Sequence, residues 1–89
     1  MAPASLSPSD AAAVALQGLA YLAGEPVLLQ RLLDSSGLSL EELRSRADEP
    51  ALLGGVLDFL LADESALLVF CESHNLPPDL PARARIALP

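Results

Sequence analysis

Helix punctuation limits what this chain can become. The stretches "SPSD" at 7–10, "GEP" at 24–26, "SGLSLEE" at 36–42, "DEP" at 48–50, "ADES" at 62–65 and "NLPPD" at 75–79 place capping residues, glycine and proline in the order that starts or stops a helix. The segments between these signals are helical rather than extended, because β-branched residues are scarce. Thr is missing, Ile occurs once at Ile86, and Val occurs only at 14, 27, 56 and 69, amid abundant Leu and Ala. The predicted fold class is all-α: a compact bundle of about six short helices forming one domain over 7–89, behind a disordered N-terminal tail at 1–6.

Each helix can be read in turn. Ser7 caps a first helix that Pro8 opens, with Asp10 three residues after the cap, and it runs to Ala23. It is apolar nearly all round, with Leu16, Leu19, Ala20 and Ala23 at helical spacing, and such a helix is central. Gly18 in its interior would cost about 1 kcal/mol unless a neighbouring helix packs close. Gly24 offers a left-handed stop. Pro26 opens the second helix with Glu25 at its positive end; Leu28, Leu29, Leu32 and Leu33 form its apolar face, and Gln30, Arg31 and Asp34 face water. Gly37 and Leu38 make a stop with a hydrophobic latch. Ser39 and Glu42 form a capping box for a short third helix over 40–47, pinned by Leu40 and Leu43.

The fourth helix follows "DEP" with core positions Leu52, Leu53, Val56, Leu57, Leu60 and Leu61. Gly54 and Gly55 inside it mark a close helix contact or a bend. Asp63 caps the fifth, which runs to about His74 with Leu67, Leu68, Phe70 and Cys71 inward. Asn75 and Leu76 repeat the earlier stop, and Pro77 and Pro78 lead into a sixth helix over roughly 79–88 held by Leu80, Ala84 and Leu88. Leu22, Ala23, Glu25, Leu28 and Leu29 return at one constant interval as Leu61, Ala62, Glu64, Leu67 and Leu68. That pattern predicts two tandem three-helix units sharing one core. The alternative is self-matching in a Leu- and Ala-rich sequence.

Charge narrows the range of partners. Twelve acidic residues stand against five Arg and no Lys, a net charge of −7. A chain of this sign lacks the basic footprint that nucleic acid and anionic membranes require, although a basic protein partner is compatible with it. One Cys forms no internal disulfide, and the N-terminus has no basic secretory region, so the expected location is cytoplasmic. The apolar run 11–24 is interrupted by Gln17 and is shorter than the ~20 residues of a membrane-spanning helix.

Few residues are equipped for chemistry. Cys71 and His74 share a helix face at i and i+3, the spacing of a thiol–imidazole dyad or half a zinc site. Neither a second ligand pair nor a third orienting group is specified, so Cys71 reads as a small buried hydrophobe and His74 as a C-terminal helix residue. The pairs Glu41–Glu42, Asp48–Glu49 and Asp63–Glu64 all fall at helix starts, where capping and the helix dipole already account for them. No catalytic residue, cofactor or metal site is expected. Residues 29–47 trace the outline of a helix-turn-helix that could bring Arg44 and Arg46 to DNA, but Glu41 and Glu42 would then face phosphates.

The segments "LAYLAGEP", "SGLSLEELR" and "VLDFLLADE" carry a likeness in order and spacing over residues 15–89. On them the chain resembles a family of small alphaproteobacterial proteins catalogued as domain of unknown function 3572. The family usually has Trp where this chain has Tyr21, a conservative departure. The resemblance implies a small cytoplasmic helical protein of a Gram-negative bacterium and brings no activity, cofactor or site residues with it. From the residues themselves, the expected function is a protein–protein interaction or adaptor module, not an enzyme. Its partner would be another protein or a second copy of the chain, with no nucleic acid or membrane. The alternative is a DNA-associated regulator using 29–47. Phe59 and Val69, just off the apolar stripes of their helices, are the candidate partner-binding residues.

Overall fold

In a computed structural model, residues 6–88 are described, and among them the secondary structure is six helices without a strand. The first is α1 (Pro8–Ala23), where the Asp10 N–H donates to Ser7 Oγ at 3.0 Å, as the sequence predicts. Its inward face is Ala11, Val14, Ala15, Gly18 and Leu22. The other apolar stripe, Leu16, Leu19, Ala20 and Ala23, lies outward or at the margin, and Leu16 is 44% exposed. Size explains the choice between two apolar faces. The face with Ala and Gly lets other helices approach closely, and a Cβ added to Gly18 would stand 2.9 Å from Leu60 Cδ1 and 3.6 Å from Val56 Cγ1.

Gly24 does not adopt the expected left-handed conformation; its φ is −90° and ψ 0°. The Gly24 and Glu25 N–H groups instead donate to the Tyr21 and Leu22 carbonyls in a tight right-handed turn, so that α2 (Pro26–Ser36) begins at once. That second helix does end in the left-handed region, at Gly37 with φ 73°, where a side chain would be strained. The capping box then forms in full: the Glu42 N–H donates to Ser39 Oγ and the Ser39 N–H to Glu42 Oε1, both at 3.1 Å. It starts α3 (Leu40–Ser45), which is shorter than expected. Leu43 is buried at 2% exposure, but Leu40, expected to pin the helix beside it, is 38% exposed.

Three helices follow: α4 (Pro50–Leu61), α5 (Glu64–Ser73) and α6 (Leu80–Ala87). Asp63 caps α5 by accepting from the Ala66 N–H. Ala66, Phe70 and Cys71 are its buried residues, whereas Leu68, expected inward, is 44% exposed. Among the other helices α5 packs chiefly on α4, so its buried arc is narrow. Asn75 takes the left-handed conformation with φ 55°, and the Leu76 N–H closes the stop by donating to the Cys71 carbonyl.

The centre is α1, α4 and α6 packed on one another; α2 lies against α1 and α4, and α3 sits at the margin. Two apolar clusters fill the interior. One joins Ala11, Val14 and Ala15 to Leu53, Leu57, Ala84 and Leu88, and Leu6, the described residue of the expected N-terminal tail, packs against it. The other parts of that tail, residues 1–5, lie outside the described residues. The second cluster gathers Leu22, Leu32, Leu43, Val56, Leu60, Ala66, Phe70 and Cys71. Helix α4 serves both from two adjacent faces, Leu53 with Leu57 and Val56 with Leu60. The two halves share their helix order and their Leu38 and Leu76 latches against one cluster, but their third helices dock differently.

Candidate functional site: an apolar groove beside helix three

Because α3 is short and anchored by one leucine, the space around it is incompletely filled. A groove of about 580 Å³ opens between the C-terminal half of α2, α3 and the outer side of α4. Buried Leu32, Leu43 and Val56 form its floor, half-buried Leu38, Leu52 and Phe59 its walls, and Ser35, Ser36, Arg46, Glu49 and Asp58 its rim. Gly55 lines it too, and a Cβ there would meet nothing within 4 Å, so the absent side chain widens the opening. The rim is partly fixed. Asp58 accepts a hydrogen bond from Arg85 Nε at 2.8 Å, tying α4 to α6.

The two candidate partner residues are separated by this geometry. Phe59 packs against the core on one side and lines the groove on the other. Val69 is 53% exposed on α5 and takes no part in the groove lining. The remaining groove residues are absent from the sequence-derived candidates because Leu32, Leu52 and Val56 read as ordinary core positions. Gly54 and Gly55 are expected to mark a close helix contact or a bend; Gly54 makes such a contact, with Arg85, but Gly55 faces open space.

Cys71 lies in the core and His74 at the end of α5. The Cys71 thiol is buried, and burial first and Asp79 second push its pKa up, away from the thiolate a nucleophile or metal ligand needs. His74 caps α5, with Nδ1 3.2 Å from the Phe70 carbonyl and 3.1 Å from Ser73 Oγ, and its ring lies 4.9 Å from that of Phe70. Tyr21 packs on Phe70 at 5.7 Å, and its phenol pKa is raised by burial, then by Glu25 and Asp63. Among the described residues no group of three His, Cys, Asp or Glu side chains is disposed to hold a metal ion. Among the same residues no single helix is long and apolar enough to cross a membrane.

The unit α2–Gly37–α3 keeps the outline of a helix-turn-helix, with Arg44 and Arg46 exposed. Its second helix has six residues, and Glu41 and Glu42 occupy the exposed first turn that would enter a DNA groove.

The molecule is thus a small all-α domain with an open apolar groove. It belongs to the family described as protein of unknown function DUF3572, whose model matches residues 8–89, from the first residue of α1 onward. No curated protein and no solved structure matches the chain.

Proposed function

We propose that the chain is a protein–protein interaction module without catalytic activity, and that the groove between α2, α3 and α4 receives its partner. The groove itself carries this reading. An open apolar floor stands against water unless something covers it. Its volume, about 580 Å³, falls in the ~300–1,000 Å³ range of specific binding clefts. Phe59 on its wall is a large side chain already held by core packing, the kind of pre-ordered anchor on which interfaces concentrate their energy.

Charge and chemistry support the same reading. A net charge of −7 favours a protein partner over nucleic acid or an anionic membrane. The buried thiol of Cys71, with its pKa raised, suits a structural role in a reducing, cytoplasmic compartment. The test is affinity capture from lysate of the source cell with four baits: wild type, Phe59→Ser, Leu52→Ser and Val69→Ser. The groove variants lose the captured protein while keeping helical circular dichroism at room temperature, and Val69→Ser retains it. Loss with Val69→Ser alone moves the interaction to α5.

A further inference from the structure

We propose that a second groove, between α1, α2 and α3, binds a small apolar carboxylic acid, with Arg44 as the partner of its carboxylate. This groove has a volume of about 280 Å³ and lies on the other side of α3 from the larger one. Leu43 divides the two and is the one residue common to their linings. Buried Leu43 forms the floor, half-buried Leu19 and Leu29 the walls, and exposed Leu40 and Arg44 the rim. Leu40 and Arg44 stand about one turn apart on one face of α3, so the groove sets an exposed leucine beside a cation. Arg44 is the only polar residue in a lining otherwise made of Leu and Ala.

Charge selects the ligand. The chain has five Arg against twelve acidic residues, so a cation with no carboxylate beside it is unusual here. Arg31, Arg83 and Arg85 each pair with an aspartate. Arg44 makes no ion pair and no side-chain hydrogen bond among the described residues, although Glu41 and Asp48 lie within one turn of it in sequence. The larger groove is mixed, since Arg46 shares its rim with Glu49 and Asp58. The smaller one presents a single sign, which complements an anion and opposes a cation. A planar carboxylate suits it best, because it can accept two guanidinium N–H bonds at once. Size sets the rest of the molecule. A space of 280 Å³ is about nine water volumes, too little for a helix about 10 Å across. It takes an acid of about eight carbons, its chain against Leu19, Leu29 and Leu40 and its carboxylate on Arg44. So few ligand atoms in an open groove give a Kd on the order of 1 mM.

Amide chemical shifts of the full chain, followed by NMR during titration with octanoate, octylammonium, 1-octanol and acetate, test this. Octanoate moves the amides of residues 40–47 together with those of Leu19 and Leu29. At these amides octanol binds about 3-fold more weakly, the worth of one exposed ion pair, and octylammonium more weakly still. That order is the reverse of what the net charge of −7 alone would favour. Acetate, which has no apolar body, does not saturate. Arg44→Gln lowers octanoate binding to the level of octanol, and Arg46→Gln leaves it unchanged; both side chains are exposed, so neither change disturbs the core. Leu40→Ser weakens octanoate and octanol alike. Octylammonium binding as tightly as octanoate overturns the proposal, as does octanoate binding that survives Arg44→Gln or that acetate matches. Shifts centred on Gly55 and Phe59 place the acid in the larger groove and overturn it too. So does the absence of any saturating shift at about ten times the expected Kd.

Discussion

Helices α3 and α6 occupy the same place in the two halves of the chain, each following a left-handed stop and a leucine latch, and they dock in different ways. Helix α6 lies on both α1 and α4. It turns buried Pro81 and Ala84 inward, with Leu88 just beyond its end, and Ala84 meets the small residues Ala11 and Ala15 in one cluster. Its Arg85 lies over Gly54, where a Cβ would come within 3.2 Å of the guanidinium, and bonds Asp58. Helix α3 has one buried residue, Leu43, and grooves on both sides of it. Its local signals are the better of the two: it has a complete capping box, whereas Asp79 at the start of α6 makes no side-chain cap. Good caps therefore make a helix without seating it. Seating depends on the facing residues, and where they leave space a groove stays open.

The largest expected difference lies in the core of the two flanks. Leu57→Ala, at the α1–α4–α6 centre, lowers stability by about 3–5 kcal/mol and melts all six helices together in thermal unfolding followed by circular dichroism. Leu43→Ala costs less, about 2 kcal/mol, because the groove walls beside it are free to close on the space. Hydrogen exchange then speeds up in α3 and the end of α2 before it does in α6. Equal costs for the two substitutions break the comparison.

Smaller effects sharpen it. Ser39→Ala removes the cap of α3 and costs about 1 kcal/mol, seen as local loss of protection over 40–45. The same cap depends on pH. Hydrogen bonds from the Ser39 N–H and then from its side chain, helped by Arg46, hold the Glu42 carboxyl below its ordinary range. A lowered folded pKa contributes stability that is present above the unfolded value, about 4.3, and is lost as pH falls through the folded value. Exchange at α3 therefore rises on acidification through that window, relative to α6, and Glu42→Gln flattens the response. The smallest effect is Asp58→Asn, which breaks the half-exposed pair with Arg85 and costs less than about 1 kcal/mol by chemical denaturation.

Local decisions were legible in the sequence. The caps at Ser7, Ser39 and Asp63, the prolines that open α1, α2 and α4, and the stops at Gly37 and Asn75 each depend on residues within one helical turn, and each stands as read. Gly18 announced a close approach, and Leu60 makes it. The family, too, was visible in short ordered segments. What the sequence left open was which apolar face turns inward. In α1 two faces satisfy the same helical period, and the inner one holds Ala11, Ala15 and Gly18 because α4 and α6 fit closely only there. Leu16, Leu40 and Leu68 face outward for the same reason: volume matching between distant segments decides burial, and periodicity cannot express it. The groove beside α3 is the clearest case. Its floor is made of core-type residues from three helices, and only the tertiary arrangement determines that, among the described residues, no fourth element covers them.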